Sequence, residues 1–123
     1  MKTIHTAKAP EAIGPYSQAL VHGGLLFTSG QIAINPASGQ VEADTIEGQT
    51  EQVMQNLAAL LEEAGASFDS VIKTTCFLSD MADFAAFNAI YGAYFVSKPA
   101  RSCVAAKQLP KNVLVEVELI AAV

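Results

Sequence analysis

The sequence predicts an α+β protein in which two helices cover one face of a single sheet. Three observations predict this fold class: hairpin patterns near both ends, two segments with helical spacing of apolar residues, and a β-rich segment between them. Two amphipathic helices suffice to cover one face of a sheet. The chain has 123 residues, of which 51% are hydrophobic and 15% charged. We therefore expect a single domain over residues 1–123 with a buried core.

The N-terminal hairpin is predicted from residues 17–32, "SQALVHGGLLFTSGQI". Two short apolar runs flank Gly23-Gly24, and paired glycines are typical of a tight turn between antiparallel strands. The cluster "NPASGQ" at residues 35–40 indicates a further turn.

The first helix is predicted over residues 45–64, where apolar side chains recur every three or four positions. Asp44 followed by Glu47 resembles an N-terminal capping arrangement, and Gly65 is expected to end the helix. The apolar positions are Ile46, Val53, Leu57, Leu60, Leu61 and Ala64.

A strand is predicted over residues 70–79, "SVIKTTCFLS", because the segment is rich in β-branched and aromatic residues. Cys76 within it is interpreted as a small buried residue. Asp80 is expected to cap a second helix, and Pro99 to end the helical region. The apolar stripe of this helix, interpreted as core, consists of Phe84, Phe87, Tyr91, Tyr94 and Phe95.

The C-terminal part predicts two more strands, at residues 100–107 and 113–123, joined by a turn at residues 109–112. As a hairpin, they would lie side by side, with Arg101 on one strand and Glu116 on the other. The last strand has apolar positions on both faces, although no third helix is predicted to cover the second face. We therefore expect an oligomer that buries this free face.

Composition and charge exclude several function classes. The net charge is −5 and the basic residues form no stripe, although residues 98–111 hold four of them, so nucleic acid is not expected as a partner. No apolar run approaches the roughly 20 residues that cross a bilayer, and the first residues lack the apolar core of a signal peptide. A soluble cytoplasmic protein is expected. The two cysteines form no CxxC pair and the two histidines no zinc motif, so no metal is expected.

Arg101 is the first candidate functional residue, because it begins an otherwise small and apolar strand. It either faces water at a sheet edge or binds an anion, since guanidinium matches a carboxylate with two hydrogen bonds. Glu116 and Glu118 are either solvent-facing or include a general acid/base near Arg101. A nucleophilic Cys103 would need a base, and no histidine lies nearby in the sequence.

Two N-terminal motifs add candidates. Gly30, in "TSGQI", either lets a ligand approach the backbone or marks an ordinary β-bulge. Gly14-Pro15 forms a fixed turn before Tyr16, which could hold the aromatic ring over a pocket.

Several motifs together resemble the Rid family, also called the YjgF family, of reactive-intermediate deaminases. They are "AIGPYSQAL", "FTSGQI", "NLAALLEEAGAS", "VIKTTCFLSDMADFAAFNAIYGAYF" and "KPARSCVAAKQLPKNVLVEVELIA", and they span residues 12–121. The segment before Arg101 is shorter than in many members, and "VAAKQLP" replaces a more usual stretch that contains a glutamate and an arginine. Both differences affect the rim of the cleft.

The resemblance implies a mixed sheet with two helices on one face, similar to trimeric chorismate mutase. It also implies a homotrimer with a barrel-like interior and three clefts between subunits. The implied activity is that of a 2-iminobutanoate/2-iminopropanoate deaminase, which hydrolyses substrates such as 2-aminoacrylate and 2-iminopropionate to a 2-keto acid and ammonia, without metal or organic cofactor.

The resemblance also implies roles for individual residues. Arg101 would bind the substrate carboxylate, and Glu116 would position and activate the attacking water. The remaining substrate-binding positions are Tyr16, Ser29, Gly30, Phe84, Asn88 and Cys103. Three alternatives stay open: a regulator that binds 2-keto acids or amino acids without turnover, an RNA-directed inhibitor of translation, and a holdase-type chaperone.

Overall fold

A six-stranded mixed sheet forms the body of the protein, in a computed structural model that describes all 123 residues. The strand order is β1-β2-β3-β8-β6-β7, and β6 with β7 is the one parallel pair. A separate two-stranded sheet pairs β4 with β5. The strands are β1 (Lys2–Ile4), β2 (Ala19–His22), β3 (Leu25–Thr28), β4 (Ile34–Asn35), β5 (Gln40–Val41), β6 (Val71–Leu78), β7 (Ala100–Ala105) and β8 (Val115–Ala122).

The two helices, α1 (Ile46–Glu63) and α2 (Phe84–Tyr94), pack on one face of this sheet. Along β8, residues alternate between a buried face, at Val115, Val117 and Leu119, and a partly exposed face. This alternation is what a strand with one covered face requires. The predicted α+β fold with two helices on one face is confirmed. No helix is both long and apolar enough to cross a membrane.

The N-terminal hairpin forms as predicted, with β2 and β3 antiparallel around Gly23 and Gly24. Both glycines have positive φ, 59° and 77°, which is the conformation that tight hairpin turns demand. The segment "NPASGQ" joins β4 to β5, as the predicted turn should. Strand β1 was not predicted, because three residues are too few for a periodic pattern.

Helix α1 begins one residue later than predicted, and its cap differs from the predicted one. Thr45, not Asp44, is the N-cap: its side-chain oxygen accepts a hydrogen bond from the Gly48 N–H at 3.1 Å. Thr45 has the extended backbone that an N-cap needs, with φ −105° and ψ 155°. The predicted end is confirmed, since Ala64 is the C-cap and Gly65, with φ +75°, follows it.

Helix α2 follows a short 3-10 turn, Met81–Asp83, which Asp80 caps by accepting from the Ala82 N–H at 2.8 Å. The predicted aromatic stripe forms part of the core, with Phe87, Tyr91 and Phe95 buried. The rings of Tyr91 and Phe95 stack with centroids 4.3 Å apart. Cys76 is also fully buried, as predicted.

The predicted C-terminal hairpin is wrong, because β7 and β8 are not neighbours. Helix α2 connects β6 to β7, and the two strands pair in parallel, which requires a crossover connection of this kind. Strand β8 then pairs antiparallel along the other edge of β6, with Leu78 opposite Val115 and Val71 opposite Ala121. The segment "Leu109-Pro110-Lys111-Asn112" includes a 3-10 turn rather than a hairpin turn.

The second face of the sheet carries both apolar and acidic side chains, and no element of the chain packs over it. We call this surface the open face, and define it by Phe27, Val104, Glu116, Glu118 and Ile120. Phe27 is 41% and Val104 49% exposed. The expectation of an uncovered face with apolar positions is therefore confirmed for the single chain.

Candidate active site

Arg101 lies on β7 with its guanidinium held against helix α2. Its Nη1 donates a hydrogen bond to Asn88 Oδ1 at 2.7 Å. The guanidinium carbon lies 4.8 Å from the ring centroid of Tyr91 and 5.4 Å from that of Phe84. Cation–π contacts of this kind hold the charged plane in one orientation. The structure thus brings Arg101, Asn88 and Phe84 together.

No carboxylate neutralises Arg101 within the chain. The two salt bridges of the protein join His5 to Glu11 and Lys8 to Glu62, both on the surface. Because Asn88 occupies one donor, the remaining N–H groups of the half-buried guanidinium are free to bind an anion. A planar fork with free donors is the geometry that binds a carboxylate through two hydrogen bonds.

Tyr91 is a functional candidate, although the apolar stripe of α2 predicts for it only a place in the core. Its hydroxyl shares a buried hydrogen bond of 2.7 Å with Thr74 Oγ1, on the strand residue directly beside Arg101. Burial raises the pKa of Tyr91, so the ring under Arg101 stays neutral. The signal was present in the sequence, since Phe84, Asn88 and Tyr91 follow one helical face at i, i+4 and i+7.

Cys103 follows Arg101 by two positions on the same face of β7 and lies opposite Cys76. Burial raises the pKa of the Cys103 thiol, although the charge of Arg101 acts in the other direction. Burial also raises the pKa of Cys76, to about 12. Both sulfurs are therefore thiols at neutral pH, whereas a nucleophilic cysteine needs a thiolate.

Glu116 lies on the open face of β8, in a cleft of about 600 Å³. The cleft also contains Tyr16, Ser29 and Gly30, so four predicted residues converge there. Burial raises the pKa of the Glu116 carboxyl, and the nearby charge of Glu118 raises it further. A carboxyl with a raised pKa is suited to accept and return a proton near neutral pH.

Gly30 makes room for the Glu116 side chain. A Cβ at this position would lie 2.9 Å from Glu116 Cδ and closer still to its Oε2, so any other residue would displace the carboxylate. The backbone also bulges here: Phe27 pairs with Ile120 and Gln31 with Val117, which leaves three residues opposite two. The Gly30 N–H donates no hydrogen bond within the chain, and Gly30 lines the cleft. Both interpretations offered for this glycine therefore have a structural basis.

Gln18 holds the wall of the Glu116 cleft together, a role for which no local pattern in the sequence is a signal. Its side chain accepts from the Thr6 N–H at 2.8 Å and donates to Pro10 O at 2.8 Å. Its backbone oxygen accepts from the Ser29 N–H at 2.9 Å, and the Ser29 hydroxyl donates to Ser17 O at 2.6 Å. These bonds fix the loop that carries Tyr16, a residue that is 53% exposed.

The structure does not bring Arg101 and Glu116 together within one chain. Arg101 lies beside Thr74, on the helix-covered face of the sheet, whereas Glu116 lies opposite Phe77 on the open face. Strand β6 separates them, which puts their strands about 10 Å apart at the usual spacing. The predicted proximity within a hairpin is thus wrong, and each chain carries two separate half-sites. No group of three or more His, Cys, Asp or Glu side chains has the arrangement of a metal site.

The protein is thus of a small α+β class that carries two separate sites on opposite faces of one sheet. One is the arginine site against α2, and the other is the carboxyl cleft around Glu116. The chain belongs to the Endoribonuclease L-PSP family, whose model matches residues 6–123, and the resemblance to Rid and YjgF proteins is confirmed. It is 47% identical to the 2-iminobutanoate/2-iminopropanoate deaminase of Escherichia coli, over 98% of this chain and 96% of that protein. It is also 56% identical to a Lactococcus lactis protein named as a regulator, AldR, over 100% of this chain and 98% of that one.

Solved structures agree closely with this fold. The YjgF gene product of Escherichia coli superposes with a TM-score of 0.94 at 45% identity, covering 99% of this chain and 98% of that one. TdcF of Escherichia coli, solved with bound serine, superposes with a TM-score of 0.95 at 41% identity, covering 100% and 99%.

Proposed function

We propose that this protein hydrolyses reactive 2-imino and 2-enamino acids, such as 2-iminopropionate and 2-aminoacrylate, to 2-keto acids and ammonia. The observation that carries the proposal is Arg101, a half-buried guanidinium on an aromatic support with no carboxylate partner. The deaminase of Escherichia coli, at 47% identity over nearly the whole chain, supports this choice of reaction. The serine bound to TdcF is an amino acid with a free carboxylate, which fits an arginine clamp.

The complete site is formed between two copies of the chain in this proposal. Arg101 and Glu116 point to opposite faces of one sheet, so one substrate can contact both only if they come from different subunits. The open face exposes Phe27 and Val104, and association of subunits through this face would bury these apolar side chains. The arrangement proposed is a homotrimer in which the open faces meet around the axis and three clefts lie between subunits.

The reaction begins when Arg101 of one subunit binds the substrate carboxylate and fixes the C=N carbon. Glu116 of the neighbouring subunit takes a proton from water, whose oxygen attacks that carbon, and passes this proton to the nitrogen, which gives a neutral carbinolamine. Glu116 then takes the proton of the carbinolamine hydroxyl and delivers it to the nitrogen. The C–N bond breaks as the C=O bond forms, and ammonia leaves with Glu116 again a carboxylate. An enamine substrate follows the same steps once a proton on its C3 has converted it to the imine. The Gly30 N–H has no acceptor within the chain, and in this proposal it stabilises negative charge that develops in the cleft. An imine carbon is already electrophilic, so these steps use only this chain's residues.

The direct test is to generate 2-aminoacrylate from serine with a dehydratase and to follow release of ammonia and pyruvate. Wild-type protein is expected to accelerate release, whereas Arg101→Ala and Glu116→Gln are expected to remove the acceleration. Cys103→Ser is expected to keep most activity, because its thiol is protonated. If wild-type protein gives no acceleration, the proposed activity is wrong.

A regulator that binds 2-keto acids is the second candidate, because a relative at 56% identity is named as one. Such a protein would need only the groove around Arg101. Each chain forms this groove by itself, and Glu116 is not part of it. Glu116→Gln separates the two candidates: a deaminase loses turnover and keeps carboxylate binding, while a regulator is unchanged. The family name points to RNA cleavage, but a net charge of −5 without a basic stripe disfavours RNA as the substrate.

A further inference from the structure

The groove that contains Arg101 holds a second cation. Lys98 and Arg101 both line this groove, which has a volume of about 450 Å³ and no acidic residue in its wall. Neither cation forms a salt bridge within the chain. Since the protein as a whole has a net charge of −5, two unpaired cations in one groove create a local positive field.

Lys98 is held in place by an unusual backbone conformation. Its φ is +57°, and Pro99 follows it directly. A residue with a side chain rarely adopts this conformation, least of all before proline. The Lys98 N–H donates to Phe95 O at 3.1 Å, which closes the turn after α2 and directs this residue to the groove. Strained residues of this kind concentrate at ligand sites.

We propose that the groove binds ligands with two carboxylates, one on Arg101 and the other on Lys98. The ligand class is the 2-keto or 2-imino dicarboxylate, whose aliphatic part would lie against Val96, an exposed residue of the groove wall. A monocarboxylate leaves the Lys98 ammonium unpaired, whereas a dicarboxylate pairs both cations. The inference rests on the proposed function in one respect, the binding of a carboxylate by Arg101.

The test is a calorimetric titration of the full-length protein with 2-oxoglutarate and, separately, 2-oxopentanoate. These ligands share a five-carbon chain and the 2-keto acid group, and they differ by the second carboxylate. We expect 2-oxoglutarate to bind about 2- to 5-fold more tightly, the usual contribution of a partly exposed ion pair. The preference should decrease with added salt, because screening weakens such pairs.

Two variants with the same change of charge make the test specific. Lys98→Gln should reduce the affinity ratio of the two ligands to about one. Lys107→Gln should keep the wild-type ratio, because Lys107 is exposed and does not line this groove. If wild-type protein binds both ligands with equal affinity, this inference is wrong and the proposed function is unaffected. The same conclusion follows if Lys98→Gln and Lys107→Gln lose the preference for 2-oxoglutarate equally. Failure of wild-type protein to bind 2-oxopentanoate overturns the Arg101 clamp of the proposed function as well.

Discussion

At the scale of single residues, close packing determines which groups can react. Gly30 illustrates this, because its missing side chain is what allows the Glu116 carboxylate to lie against the bulged backbone. The pattern "TSGQI" predicts a special backbone role for this glycine. Its contact with Glu116 joins residues 86 positions apart, so no local pattern in the sequence predicts it.

Gly30→Ala should displace the Glu116 carboxylate without altering the Arg101 groove. We expect turnover of 2-iminopropionate to fall by about 10-fold or more, since a positioned general base contributes at least about 100-fold. Pyruvate binding by Arg101 should persist in a titration. Unchanged turnover in a folded Gly30→Ala protein would show that the position of Glu116 is not critical.

Tyr91 should matter through its ring more than through its hydroxyl. Tyr91→Leu removes the aromatic support 4.8 Å from the Arg101 guanidinium. Cation–π contacts contribute about 0.5–2 kcal/mol, so pyruvate should bind roughly 2- to 30-fold more weakly. Tyr91→Phe keeps the ring and serves as the matched control, with a smaller effect on pyruvate affinity. Methyl pyruvate, which lacks the charge, should bind both variants alike. Equal losses for pyruvate and its ester would indicate only a structural defect.

Glu116 should make the protein less stable as pH rises. Its pKa is raised in the folded state, so the folded state holds its proton at a pH where the unfolded state releases it. The stability from this group is therefore present below the ordinary carboxyl pKa and is lost as pH rises through the raised value. Glu116→Gln should melt at a higher temperature than wild type at pH 8, and the difference should shrink at pH 4. A constant difference across this range would contradict the raised pKa.

At the scale of secondary structure elements, helix α1 holds the wall of the Glu116 cleft. Asn56 is fully buried, and its Nδ2 donates to Ile32 O at 3.1 Å and to Ile34 O at 2.9 Å. These two bonds tie residues that line the cleft to the helix. The periodic pattern predicted the helix but not this polar contact, because an asparagine among apolar neighbours has no local feature that identifies its partner.

Asn56→Ala should lower the free energy of unfolding by about 1–3 kcal/mol, the usual cost of leaving a buried polar group unpaired. Chemical denaturation monitored by circular dichroism measures this change. Gln55→Ala is the control, because Gln55 neighbours Asn56 on the same helix and is exposed. Equal stability of the two variants would argue that water replaces both hydrogen bonds at no cost.

Local patterns predicted the type of the longer elements well and their pairing less well. The glycine turn of β2–β3, the spacing of α1 and the aromatic stripe of α2 are local features, and each was confirmed. The position of β8 between β3 and β6 was missed, because strand order depends on contacts between distant residues. The same error placed Arg101 and Glu116 side by side, although the sheet directs them to opposite faces.

At the scale of the whole molecule, the open face determines the assembly we propose. A free chain would expose Phe27 and Val104 beside the acidic pair Glu116 and Glu118. Light scattering at micromolar concentration is expected to give the mass of three chains, about three times 12.9 kDa. A stable monomer at that concentration would mean that the open face needs no cover, and would remove the proposed intersubunit site.

The most direct test of the account combines two inactive variants. Arg101→Ala and Glu116→Gln proteins are mixed in equal amounts, exchanged under mild denaturation and assayed for hydrolysis of 2-iminopropionate. If Arg101 and Glu116 of each site come from neighbouring subunits, random mixing restores roughly a quarter of the sites, because each residue is intact with a chance of about one half. The account predicts this recovery. If the mixture, after demonstrated subunit exchange, is no more active than either variant alone while wild-type protein treated alike is active, the account of a site shared between two chains is contradicted.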